Sequence, residues 1–403
     1  MRVLFLTHRL PYAPNRGDRI RAYQILKALA GHAEVHLVSL VHDADEPTQT
    51  HLLKDITASV ATAHVPRIRN FAKGLAALPS DQPLTHLLLD SPDIGPRIAA
   101  VVARTKIDVV LAYCSGMARF ALEPPLADVP LVLDMVDVDS QKWAALGERA
   151  RPPLGWIYRR EARCLARFEA LAADHARCTL VVNGRERSAL DAIAPGSRIH
   201  IIGNGIDVSA LRPAALPSDK PNVVFCGVFD YAPNVEAAIW FLRHVWPLVM
   251  KQRPDAHFSL VGANPSAAVR RVAETLPSVT ITGTVADVRP YLWQAALSVA
   301  PIWTARGVQN KVLEAAAAGL LCVVTPPVRE GLPDEVAPAC IVAGDAASFV
   351  SAVVAALDRP ASERRANASL ADLTRLDWRS RLAELPDLLR DAALQPVVRA
   401  RTT

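Results

Sequence analysis

Two series of short, continuous apolar runs, each alternating with stretches of helical spacing, constrain this chain more than any other feature. Arg2–Thr7, Val35–Leu40, Val60–Val65, Val109–Ala112, Leu131–Leu133 and Leu180–Val182 form the first series. Between its first two members, Ile20–Ala30 places Ile20, Tyr23, Ile25, Leu26 and Leu29 at helical intervals. A strand that is apolar at every position is covered on both faces, which means a parallel sheet with helices on each side. The pattern restarts after Leu211–Pro221. Val223–Cys226, Phe258–Val261, Val279–Ile281, Leu297–Ala300 and Leu321–Val324 read as strands, with helices predicted over Glu236–Met250, Ala267–Leu276 and Lys311–Ala318. The expected fold class is α/β, with two Rossmann-like, doubly wound parallel-sheet domains facing a cleft. Ligands in such sheets bind beyond the carboxyl ends of the strands. The expected boundaries are 1–203 and 204–375, with 376–403 as a C-terminal helix and tail crossing back toward the first domain.

With 403 residues, 51% hydrophobic and 21% charged, the chain has enough apolar material for two cores and is not a disordered polymer. Its six cysteines are scattered without a C-x-x-C pair, which reads as free thiols in a reducing compartment. The longest apolar stretch, Val312–Val324, contains Glu314 and is shorter than the ~20 residues of a crossing helix. The first residues turn polar too soon for a signal peptide. A cytoplasmic protein is expected, peripheral at most to the inner face of the membrane. The net charge of +5 suits an anionic small ligand or an anionic membrane surface, and without an RNP-type aromatic motif or dense Lys/Arg run no nucleic acid partner is expected. Oligomeric state has no signature here.

Four segments could carry chemistry. Pro14–Gly17 lies between the first strand and first helix, where backbone N–H groups hold phosphate; Gly17 permits close approach, and Arg16, Arg19 and Arg21 add charge. An ordinary strand-to-helix loop with surface arginines fits equally. At the end of another strand, Asp134, Asp137 and Asp139 read as a general-base or metal site; Asp137 is favoured for a cleft role and no metal is expected, while one aspartate could instead cap a helix. Glu148–Ala173 carries Arg149, Arg151, Arg159, Arg160, Arg163 and Arg167 around Trp156, Ile157 and Tyr158. Such a helix could lie on an anionic membrane; the alternative is a solvated surface helix, with Glu161 and Glu169 diluting its charge. Last, a strand ends near Pro301, a glycine loop follows, and a helix opens around Asn310 and stops at Gly319. Arg306 and Lys311 could clamp a diphosphate at that helix N-terminus, and Glu314, one turn in, could accept two ribose hydroxyl protons. The alternative is an i, i+3 surface pair.

Pro301–Gly319 resembles the donor-binding motif of GT-B glycosyltransferases, specifically retaining family 4. Asn204-Gly205-Ile206-Asp207, Phe225-Cys226-Gly227, Leu260-Val261-Gly262 and Val312–Gly319 fall in the matching order. More narrowly, Arg306–Glu314 and Asp137–Trp143 resemble the sugar transferases of exosortase (PEP-CTERM) exopolysaccharide clusters. The resemblance implies a GT-B enzyme of hexosyltransferase type that moves a sugar from a nucleotide-diphosphate donor, with retention and no obligatory cofactor or metal. Its implied catalytic residues are Asp137 and Glu314. Its implied donor-binding residues are Gly17, Gly227, Arg306, Gly307, Asn310, Lys311, Val312 and Glu314. Three positions depart from that family: Arg306 stands at the first glutamate of E-x7-E, Val136 at the usual histidine, and Asp230–Asn234 where Arg and Lys usually follow Gly227.

The implied partners are a nucleotide sugar and a glycan or polyprenyl-linked acceptor, with the basic helix near the inner membrane. A GT-B sugar-nucleotide epimerase and a catalytically silent, nucleotide-binding GT-B subunit are the alternatives.

Overall fold

The computed structural model of the protein describes residues 1–12, 17–213, 219–305 and 308–394. The chain forms two compact units, one of Met1–Asn204 with the stretch from Arg381 on, the other of Gly205–Ser380.

The first unit is built on β1 (Arg2–Thr7), β2 (Glu34–Val41), β3 (Ser59–His64), β4 (Val109–Tyr113), β5 (Leu131–Val136), β6 (Cys178–Val181) and β7 (Ile199–Ile201). Their order across the sheet is β3-β2-β1-β4-β5-β6-β7, every neighbour parallel. Val3 sits between Val35 and Val109, and Val3 through Thr7 are wholly sealed from solvent. That two-sided burial is why β1 reads as an unbroken apolar run. The second unit carries β8 (Asn222–Cys226), β9 (His257–Val261), β10 (Val279–Gly283), β11 (Leu297–Ala300), β12 (Cys322–Val324) and β13 (Cys340–Val342), ordered β10-β9-β8-β11-β12-β13 and again parallel. Strand order reverses between β1 and β4 and between β8 and β11, and each reversal opens a crevice at the carboxyl ends of those strands.

Several local expectations change. Glu236–Met250 is two helices, Ala232–His244 and Trp246–Gln252, because Pro247 has no N–H to continue the first and instead opens the second. The basic segment is likewise two helices, Asp139–Arg149 and Leu154–His175, separated at Pro152-Pro153 and joined by Arg159 Nη1 donating to Gly147 O at 2.8 Å. The tail breaks into Ala361–Ala368, Trp378–Arg381 and Leu385–Leu394, the last packing on β4, β5 and the Gly17–Leu29 helix. Among the described residues no helix is long and apolar enough to cross a membrane.

Candidate functional site

In the second unit the candidate side chains collect at the β8/β11 reversal. The Asn310–Ala317 helix ends in a Schellman motif: Gly319, at φ +78°, donates to Ala316 O and Leu320 N to Ala315 O. That stop, together with Val312, Leu313, Ala315 and Ala316 in the core, fixes the helix in rotation and leaves Lys311 and Glu314 half-buried on one side. Lys311 Nζ donates to Asn234 Oδ1 at 2.6 Å and lies 5.2 Å from the Phe225 ring centre. Asn234 is itself held by Nδ2 donating to Val228 O at 2.9 Å. Burial pulls the Lys311 ammonium down to about 8, opposed by Cys226 and Glu314, and pushes the Glu314 carboxyl up to about 7, opposed by Lys311. No ion pair joins the two, and among the described residues nothing hydrogen-bonds the Glu314 carboxylate. Asn310 Oδ1 is shut from solvent and also lacks a partner there. A desolvated carboxylate, amide oxygen and amine at a helix start have hydrogen-bonding capacity that the fold leaves unused.

Gly227 closes this cluster. A Cβ there would lie 3.0 Å from Asn234 Nδ2, and one on Gly262, at φ +142°, would lie 1.8 Å from Gly227 O. The β8 and β9 loops therefore meet backbone to backbone beside Lys311. Val312 is 1% exposed and packs in the core, and its N–H donates to Gln309 O. Arg306 and Gly307 lie outside the described residues.

The first unit has its own concavity, a cavity of about 460 Å³ beyond the carboxyl ends of β1, β4 and β5, lined by His8, Tyr113, Cys114, Met135, Val136, Asp137, Asp139, Lys142 and Trp143 among others. Cys114 and Val136, which follow or end adjacent strands, adopt φ of +70° and +67°. This left-handed geometry is costly for a branched valine and concentrates at functional sites. The turn at Val136 brings Asp137 to the cavity wall. Burial raises its carboxyl to about 6, with Glu186 and Asp139 adding to the rise and Lys142 and Arg21 opposing it. Asp139 is raised by burial as well. His86, also on the wall, is pushed down to about 3 by burial and then by Arg119, so it is neutral, and its Nε2 has no partner among the described residues.

Two sequence expectations are corrected. Arg21 is no phosphate cation: it is 1% exposed and spends its guanidinium on Asp134, at 2.9 and 3.1 Å, and on Asn204 Oδ1, at 3.1 Å. Asp134 is thereby a structural partner, separate from the cavity pair Asp137 and Asp139. Arg19 pairs with Glu46. Pro14, Asn15 and Arg16 lie outside the described residues, while Gly17 starts the Gly17–Leu29 helix. Among the described residues, no group of three His, Cys, Asp or Glu side chains is arranged to hold a metal ion. Sequence reasoning missed Cys114 and His86, which carry no motif, although Cys114 directly follows the apolar run of β4.

Residues 220–359 match the family model described as glycosyl transferases group 1, and no curated protein matches the sequence. Among solved structures the chain is similar to the sucrose-phosphate synthase of Thermosynechococcus elongatus, at 15% identity over 97% of this chain and 98% of that one, with a TM-score of 0.64. It is similar to Anabaena HepE in complex with UDP and glucose, at 15% identity, 97% and 100% coverage and a TM-score of 0.64. The S. aureus TarM structure with bound UDP superposes at 9% identity, 96% and 99% coverage and a TM-score of 0.65. At such identities the likeness shows the fold, a two-unit α/β architecture of GT-B type. The matched domain supports a glycosyltransferase.

Proposed function

We propose that the protein is a retaining glycosyltransferase that moves a sugar from a nucleoside diphosphate donor to a lipid-linked or growing exopolysaccharide acceptor. The observation that carries this reading is the Glu314 carboxylate, desolvated and without a hydrogen-bond partner among the described residues, one helical turn from the amine of Lys311. In this reading the Glu314 carboxylate accepts hydrogen bonds from two ribose hydroxyls. Lys311, with Arg306 and the Gly307 loop, meets the diphosphate, helped by the backbone N–H groups at Asn310 and by the approach that Gly227 permits. Gly17, at the start of its own helix in the first unit, marks a further helix N-terminus whose N–H groups suit an anion. That HepE was solved with UDP and glucose supports a nucleotide sugar as ligand.

The chemistry follows from charge. The bond from the anomeric carbon to the diphosphate oxygen breaks with its electron pair going to the diphosphate, where positive groups stabilise the developing charge. The acceptor oxygen bonds to the same carbon on the same face, and its proton passes to the departing phosphate oxygen. Asp137, whose carboxyl burial raises to about 6, orients the hydroxyl of a sugar held in the first unit's cavity.

Release of nucleoside diphosphate from UDP- and GDP-sugars, with and without polyprenyl-phosphosugar acceptor, tests the proposal. Turnover of one donor that is lost in Glu314→Ala is the expected result. A second reading, a nucleotide-binding subunit without transfer, is favoured by Val136 standing where the resemblance places histidine. Nucleotide binding without turnover of any donor would select it.

A further inference from the structure

The Arg67–Ala76 helix is amphipathic in the inverse sense to a core helix. Its apolar residues Ile68, Phe71 and Leu75 are 90%, 62% and 54% exposed, while the residues it buries are Asn70 and Gly74. At 3.6 residues per turn the three apolar positions fall within an arc of roughly 60°, and Asn70 and Gly74 lie roughly 110° around the helix from its centre. Hydrogen bonds replace apolar burial as the anchor: Asn70 Nδ2 donates to Leu88 O at 3.2 Å and to Asp90 O at 2.7 Å. The helix therefore holds a hydrophobic stripe in water, flanked by Arg67 on one side and by Arg69 and Lys73 on the other, with no acidic residue of its own. Arg67 and Lys73 lean on Asp43 and Asp90 at 3.0 and 3.7 Å, and both stay accessible.

The Leu154–His175 helix extends this surface. Arg160 ties it to the chain leaving the first helix by donating to Ala77 O, Ser80 O and Gln82 O. One turn earlier, Leu154 and Trp156 are 52% and 63% exposed. Neither glutamate of this helix faces solvent: Glu161 offsets Arg160 in an ion pair at 3.2 Å and accepts from Leu84 N and Thr85 N, and Glu169 is buried and accepts from Ser140 N. Arg159, Arg163 and Arg167 remain outside, the last near Asp81 at 3.3 Å.

We propose that this face docks on an anionic lipid bilayer, with Ile68, Phe71, Leu75 and Trp156 at the boundary of headgroups and acyl chains and the flanking cations on lipid phosphates. Charge selects this occupant, because a second copy of the chain would bring its own basic flanks against these. The surface uses none of the residues assigned to the nucleotide, so it stands whatever the fate of the transfer reading.

Vesicle flotation tests it, using phosphatidylcholine alone against an equal mixture with phosphatidylglycerol. Wild type is expected to float with the anionic vesicles only, and less as salt rises. Ile68→Ser/Phe71→Ser/Leu75→Ser should lose at least tenfold in partitioning, and Arg69→Glu/Lys73→Glu roughly fivefold per charge removed. Leu370→Ser, at an exposed position of the second unit, should change nothing. Unchanged melting and unchanged UDP titration in each variant separate this surface from folding and from the nucleotide site. Wild type that ignores anionic vesicles, or a triple serine variant that floats as well as wild type, would overturn the proposal. So would a dimer in light scattering that the triple variant dissolves, which would make the face a self-interface.

Discussion

Arg21 grips both carboxylate oxygens of Asp134 through Nε and Nη2, at 2.9 and 3.1 Å, with neither side chain more than 1% exposed. The pair pins the Gly17–Leu29 helix to β5 immediately before the strained turn that presents Asp137. Removing one partner leaves the other charge buried, so Arg21→Ala should cost about 3–5 kcal/mol in chemical denaturation. Replacing both, as Arg21→Met/Asp134→Leu, should cost less than either single change. A single variant as stable as wild type would show that the pair does not hold β5.

The Glu314 carboxyl, raised from 4.5 to about 7, binds its proton more tightly folded than unfolded. It therefore weakens the empty protein as pH rises through that window. Glu314→Gln keeps the neutral form at every pH, so without nucleotide it should be more stable than wild type by on the order of 2–3 kcal/mol near pH 8. The gain should shrink toward zero as pH falls to about 4.5. A constant difference across the range would mean that the carboxyl is not desolvated.

Gly227 and Gly262 separate binding from folding. Alanine at Gly227 pushes on the Asn234 amide that holds Lys311, so Gly227→Ala should weaken nucleoside diphosphate binding roughly tenfold, about 1.4 kcal/mol, with little change in melting. Gly262→Ala drives its Cβ into Gly227 O and should cost ~3 kcal/mol or more of stability. Equal effects of the two on melting would remove the distinction.

With its carboxyl raised to about 6, Asp137 is protonated below that pH and ionised above it. kcat/KM, which reports groups of the free protein, should fall on the acid side of about pH 6. Asp137→Asn should lower kcat/KM about a hundredfold and flatten that limb. A variant that keeps the limb places the ionisation elsewhere, with Asp139 the next group to change.

Strands sealed on both faces were legible because burial writes an unbroken apolar run, as in Val3–Leu6. Two edge strands were not. Ile199–Ile201 and Cys340–Val342 are three residues long and half-open to solvent, so neither length nor alternation marks them. Lys311 and Glu314 were legible because a helix start and the glycine stop at Gly319 bracket them. The first unit's cavity was not, since it depends on the positive φ of Cys114 and Val136, to which neither residue type points. Arginine chemistry misled at Arg21, where only the tertiary partner Asp134, 113 positions away, shows that the charge is spent. The inward glutamates of the Leu154–His175 helix had a signal that went unread: Glu161, Leu165, Glu169 and Ala172 form one helical stripe, and all four are buried.

Calorimetric titration of UDP and GDP into wild type, Lys311→Met and Glu314→Gln tests the nucleotide site most directly. Saturable binding of one nucleotide to wild type, weakened at least tenfold in both variants, is the expected result. A well-folded wild type that binds neither, or variants that bind as tightly as wild type, would contradict the assignment of Lys311 and Glu314 to a sugar-nucleotide donor.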